Sequence, residues 1–168
     1  MISEELLFQR KYDALCESER AILLKFIQKK TVRFIFKKYS PIGELGDFAA
    51  NYVETLAKAS GHGACITDRD NVIAVSGLPK KELIEKPVSS ELENVMNEKI
   101  IVSYKDGKPV SVADGVEKYN AGVVVPIVSE GDTIGSVLSI LKEGETASEV
   151  EEKLAESAAG FLGKHMEG

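Results

Sequence analysis

The residues of this chain best suited to chemistry are two cysteines, two histidines and a pair of closely spaced aspartates. Cys16 and Cys65 lie far apart and form no CxxC pair, which supports neither a disulfide framework nor a zinc site; free thiols are the reading. Asp68 and Asp70 could act as a general acid/base pair or bind a metal, but no further carboxylate or histidine completes a constellation, and in Asp68-Arg69-Asp70-Asn71 they suit a tight turn. His62 stands between two glycines and reads as a solvent-facing residue at a helix end. His165 sits where the last turn of a helix would be, and there it complements the helix dipole. Gly131 and Gly135 do not make a phosphate loop, since GxxxxGK[ST] is missing and strand-like text lies on both sides. The composition therefore argues against an enzyme and calls for no metal or cofactor.

The elements that would carry these residues are well punctuated after Lys38. Ser40-Pro41 opens a helix, and Ile42, Leu45, Phe48, Ala49, Tyr52 and Leu56 repeat at three and four residues as far as Gly61. "ACITDRDNVIAVSG" reads as a hairpin over residues 64–76. Lys80 to Lys99 is helical, divided at Pro87 and restarted at Ser89 or Ser90. Strands follow at Ile100 to Tyr104 and around Val110-Ser111-Val112, joined through Asp106-Gly107. "AGVVVPIV" and "TIGSVLSIL" form a hairpin about Ser129-Glu130-Gly131-Asp132. Thr146 with Glu149, and Ser148 with Glu151, offer capping boxes for a closing helix marked by Val150, Leu154, Ala158, Phe161 and Leu162. This order predicts an α+β fold: an antiparallel sheet with the N- and C-terminal helices on one face, roofed on the other by the middle helix and loops.

Size and charge set further bounds. The 168 residues, 43% hydrophobic, can bury one ordinary core and carry a small appendage. No run is long enough to span a bilayer and no signal pattern is read at the N-terminus, so no membrane partner and a cytoplasmic location are expected. Residues 1–38 hold nine Lys or Arg against five Asp or Glu, while residues 39–168 hold twelve against twenty-two, so balances of +4 and −10 make up the net −6. The larger part is a poor binder of phosphate backbones by itself.

"FKKYSPIGELGDFA", "ITDRDNVIAVSG", "VVPIVSEGDTIGSVL" and "ESAAGFLGKHME" together resemble the C-terminal GAF-type domain of the stage V sporulation protein T family, from about Ile35 to the end. The resemblance implies a transcription regulator of spore-forming bacteria, in which an AbrB-like swapped hairpin binds DNA and the GAF domain senses a small molecule. It implies a homodimer or higher oligomer, with Ile42, Leu45, Phe48, Tyr52, Val150, Leu154, Phe161 and Leu162 of the first and last GAF helices at the dimer interface. It also implies a ligand pocket between the sheet and the middle helix, drawing on Cys65, Val75, Ser76, Tyr119 and Val123, residues that could equally be ordinary core. Neither the cysteine set of GAF-type methionine sulfoxide reductases nor the NKxxFxxxDE-type pattern of cyclic-nucleotide GAF domains is present.

The resemblance stops at the N-terminus, where a basic pattern like "DLGRVVIPKEIRR" is expected and residues 1–34 show nothing of the kind. Arg10-Lys11-Tyr12-Asp13-Ala14-Leu15-Cys16-Glu17 can be back-translated so that reading one base earlier spells Lys-Glu-Ile-Arg-Arg-Thr-Met-Arg. The same offset serves Ile2 to Arg33, and one extra base near Phe34 restores the frame. Residues 1–34 are thus expected to be an out-of-frame AbrB-like domain, with DNA binding lost from this chain, and residues 35–168 the GAF-like sensory and dimerisation domain. The alternative is a native pair of amphipathic helices using Leu6, Leu7, Leu15, Ile22, Leu23 and Phe26, which would make this a stand-alone helical oligomerisation protein. A GAF-type redox enzyme is a further alternative, disfavoured by the cysteine count.

Overall fold

A computed structural model describes residues 4–14, 16–19, 46–105 and 109–167. The chain divides into two compact units, Met1–Tyr39 and Ser40–Gly168. In the first, helix α1 (Glu4–Asp13) carries Leu6 and Leu7 half exposed. The remaining residues of the expected N-terminal helix pair lie outside the described residues, as do the opening Ser40-Pro41, Ile42 and Leu45 of the next helix.

The second unit is α+β. Its described elements are α2 (Gly46–Ser60), β1 (Gly63–Asp68), β2 (Val72–Ser76), α3 (Lys80–Leu83), α4 (Ser90–Glu98), β3 (Val102–Ser103), β4 (Val110–Ala113), β5 (Val116–Ser129), β6 (Asp132–Leu141) and α5 (Glu149–His165). The strands form one antiparallel sheet in the order β2-β1-β6-β5-β3, with β4 also paired to β5.

Local chemistry fixes each corner. In the β1–β2 turn the Asp68 carboxylate accepts from the backbone N–H groups of Asp70 and Asn71, both at 2.7 Å, an Asx turn that closes the hairpin. Between β5 and β6, Glu130 and Gly131 both hold positive φ, the geometry that reverses a twisted hairpin in two residues. Ser89 caps α4 by accepting from Leu92 N, and Pro87 separates α4 from the short α3. Ser148 and Glu151 form a reciprocal capping box at the start of α5. β3 and β4 do not pair with each other as a hairpin; each lies along β5, β3 at Val123 and Val124 and β4 at Val116, Asn120 and Ala121.

The two faces of the sheet bury separate cores. Ala49, Val53 and Leu56 of α2 and Ala155, Ala158, Ala159 and Leu162 of α5 cover one face, meeting Ile66, Val123, Val125 and Ile127. Leu83, Leu92, Val95 and Met96 of α3 and α4 roof the other, meeting Cys65, Val75, Tyr119, Val124 and Leu138. Seating on the first face is close: a Cβ on Gly163 would collide with the carbonyl of Val128.

Candidate functional site

On the helix-covered face, consecutive residues of α5 point in different directions because helical positions lie about 100° apart. Leu162 turns onto the sheet and is fully buried, so it offers no surface to a partner, contrary to the expectation that placed it at a dimer interface. Phe161, its neighbour, points outward and is 45% exposed; Phe48 of α2 is 37% exposed. These two rings stack at 5.8 Å, Tyr52 stacks on Phe161 at 5.5 Å, and His165 lies nearly parallel to Phe48 at 5.5 Å. A continuous ring strip therefore runs across α2 and α5. Leu154 is half buried against the core below, and Val150 stands exposed nearer the start of α5. His165, expected only to complement the helix dipole, is a member of this strip. Its spacing of four from Phe161 was the available signal.

The five expected ligand residues do not converge. Cys65, Val75 and Tyr119 belong to the roofed face, whereas Val123 belongs to the core under α2 and α5. Ser76 pairs with Ala64, which also faces those helices. The cause for Val123 is a bulge: the register slips between Ala121 and Val123, so Gly122 is the extra residue and the alternation that puts Tyr119 and Ala121 under the roof is reversed beyond it. Within the roofed core, burial pushes the Cys65 thiol up to about 12, leaving an inert side chain. Tyr119 donates to Glu82 of α3 at 2.5 Å, and Lys118 lies 3.8 Å from the same carboxylate and 5.1 Å over the Tyr119 ring. This contact fastens the roof to β5.

His62 is not solvent-facing. Its side chain is 20% exposed, with Nδ1 3.2 Å from Glu145 and Nε2 3.3 Å from Glu151, because the start of α5 returns over the end of α2. Burial pushes the Glu151 carboxyl up, but hydrogen bonds from Ser148 and backbone N–H groups, with the charge of His62, hold it below its ordinary value. Among the described residues no cluster of His, Cys, Asp and Glu is arranged to hold a metal ion, and no helix is long and apolar enough to cross a membrane.

A groove of about 600 Å³ opens beside the first half of β5, bounded by the Lys142–Thr146 loop. It contains none of the five expected ligand residues.

The arrangement of antiparallel sheet, paired terminal helices and separate roof is that of a GAF domain. It superposes on the GAF domain of an Acinetobacter phosphoenolpyruvate-protein phosphotransferase with a TM-score of 0.59 at 20% identity, covering 73% of this chain and 81% of that one. A type II free methionine-R-sulfoxide reductase from Thermoplasma acidophilum gives 0.53 at 16% identity, covering 73% and 94%. These likenesses establish the fold. Sequence carries the identification further: residues 44–167 match the family described as "Stage V sporulation protein T C-terminal, transcription factor". The chain is also 47% identical over 134 residues to stage V sporulation protein T of Bacillus subtilis (strain 168), covering 79% of this chain and 75% of that protein. The chain belongs to the stage V sporulation protein T family and carries the GAF domain of a sporulation transcription regulator.

Proposed function

We propose that this chain acts as the dimerising, small-molecule-sensing module of a sporulation transcription regulator and does not itself bind DNA. The observation that carries the reading is the ring strip of Phe48, Tyr52, Phe161 and His165, which crosses both terminal GAF helices while their other sides fill the core. Aromatic side chains left exposed together and pre-stacked present a rigid apolar surface of the kind that anchors protein interfaces. A second copy of the chain would cover it, with Val150 and Leu154 at its margin. The sensing side is the roofed face, where Cys65, Val75 and Tyr119 lie under α3 and α4; a ligand entering there would displace the roof held by the Tyr119–Glu82 contact.

Loss of DNA binding follows from charge. Residues 39–168 carry a balance of −10, which repels a phosphate backbone. Residues 1–34 lack the basic pattern that the family reader would supply, in keeping with an out-of-frame translation of that domain. The bases of the gene test this part: a shifted AbrB-like frame overlapping codons 1–34 is expected, and its absence would remove it. Sedimentation of the full chain tests the rest. Wild type should sediment as a dimer, and Phe48→Glu/Phe161→Glu as a single chain, with neither shifting promoter DNA. A salt-sensitive, sequence-selective shift, or a dimer indifferent to the two charges, would contradict the reading.

A further inference from the structure

His62 sits just past the end of α2, and the charged groups that meet its ring come from two other places in the chain. Nδ1 lies 3.2 Å from Glu145 of the loop between β6 and α5, and Nε2 lies 3.3 Å from Glu151 in the first turn of α5. Other charges on these elements have partners or stand exposed: Lys58 pairs with Glu54 on α2 at 2.7 Å, Glu152 with Lys105 at 3.8 Å, and Lys142, Glu143 and Glu149 face solvent. The end of β2 approaches through uncharged Gly77. The two carboxylates are anchored unequally. Glu151 is buried and accepts from the Ser148 backbone N–H, at 2.7 Å, and from the Ser148 hydroxyl. Glu145 is 40% exposed, and apart from His62 its carboxylate meets one donor among the described residues, Lys142 N at 3.1 Å.

We propose that His62 is a pH-sensitive clasp, which ties the β6–α5 loop to the end of α2 while its ring is charged and releases Glu145 when the ring is neutral. The reason is a count of protons. A charged imidazole carries N–H on both nitrogens, whereas a neutral one carries a single N–H and leaves a lone pair on the other nitrogen. Carboxylates facing both nitrogens are therefore both attracted only by the charged ring; a neutral ring must turn its lone pair toward one of them. Nδ1 is buried without an aligned hydrogen bond, so charge is what holds Glu145 there. Glu151 keeps the remaining proton on Nε2, because its departure would strand a buried carboxylate and cost α5 its capping box. Glu145 has water within reach and turns out to it. Its hold on Lys142 N goes with it, while the hydrogen bond from Glu145 N to Lys142 O, 3.0 Å, and buried Ala147 keep the rest of the turn in place. Histidine changes charge between about pH 5 and pH 8, so the clasp is closed at the acid end of that span and open at the alkaline end.

The test follows NOEs in the full chain, ¹³C-labelled, between about pH 5.5 and pH 8. Contacts from the His62 ring to the side-chain methylenes of Glu145 and of Glu151 should both be present at the acid end. At the alkaline end those to Glu145 should be lost and those to Glu151 kept, and the Glu145 side-chain and Thr146 methyl resonances should move with the same midpoint as the His62 ring. His62→Gln, which cannot change charge, should leave the loop resonances flat over this range. Should that variant fold poorly, Glu145→Gln serves instead. It alters an exposed loop residue and should abolish the movement at Thr146 while the His62 ring goes on titrating against Glu151. Three results would overturn the proposal: Glu145 contacts that survive in the neutral state, loss of the Glu151 contacts in their place, or a loop that moves equally in His62→Gln through His165 or another group.

Discussion

Two glycines of α5, three residues apart, should respond in opposite directions to the same substitution. Gly163 is buried against β5, and a Cβ there would lie well inside contact distance of the Val128 carbonyl oxygen and 3.2 Å from the carbonyl carbon. The obstacle is strand backbone beside the β5–β6 turn, so no rotamer change relieves it. Restoring contact requires α5 to lift by about 1 Å, which loosens the packing of Leu162 and Ala159 against the sheet. Overpacking of this kind costs about 1–3 kcal/mol, offset by about 1 kcal/mol from the better helix propensity of alanine. Gly160 is exposed with nothing within 4 Å of its Cβ position, so it receives the propensity gain alone. In a chain of this size about 1 kcal/mol moves the unfolding midpoint by about 2–4 °C. Gly163→Ala should therefore melt up to about 8 °C lower than wild type and Gly160→Ala about 2–4 °C higher, followed by circular dichroism at one protein concentration. If Gly163→Ala melts higher, as Gly160→Ala should, α5 is not seated on β5 in the way described.

Other outcomes follow from single contacts. At about pH 8 an alkylating reagent should modify exposed Cys16 quickly and leave Cys65 unmodified until the protein unfolds, as read by mass spectrometry; prompt double labelling would contradict the buried, protonated thiol. The depressed Glu151 carboxyl stabilises the fold above the ordinary carboxylate range, and that contribution is lost as pH falls through its lowered folded value. Melting curves between about pH 5 and pH 2 should thus be shallower for Glu151→Gln than for wild type. Tyr119→Phe removes the hydrogen bond to half-exposed Glu82, costing about 0.5–1.5 kcal/mol in urea titrations, with amide exchange fastest in α3 if the contact holds the roof.

The parts of this fold that could be read in the sequence are those set by neighbours along the chain. The Asx turn at Asp68, the capping box of Ser148 and Glu151, and the break at Pro87 each need only three or four residues to declare themselves. The face a strand residue occupies depends on pairing. Val123 was expected beside Tyr119 from the family resemblance; the bulge at Gly122 puts the two on opposite faces, and a glycine in an apolar run does not announce whether it is bulged. The early start of β5 at Val116 was missed for a related reason: Glu117 and Lys118 are exposed and Asn120 borders the groove, so this half of the strand lacks the apolar signal. Helix periodicity marked the α5 stripe but not which side of it reached the sheet, so Leu162 and Phe161 were grouped together although one is core and the other surface. The burial of His62 depended on α5, nearly ninety positions away, and nothing local encoded it.

The central claim, that the ring strip of α2 and α5 joins two copies, is tested most directly by isotope-filtered NOE spectroscopy on an equal mixture of ¹³C-labelled and unlabelled full chain. Contacts between the Phe48 and Phe161 rings of one copy and the α2 and α5 side chains of the other are predicted. A dimer whose intermolecular contacts lie elsewhere, or a sample that shows none at millimolar concentration, would contradict it.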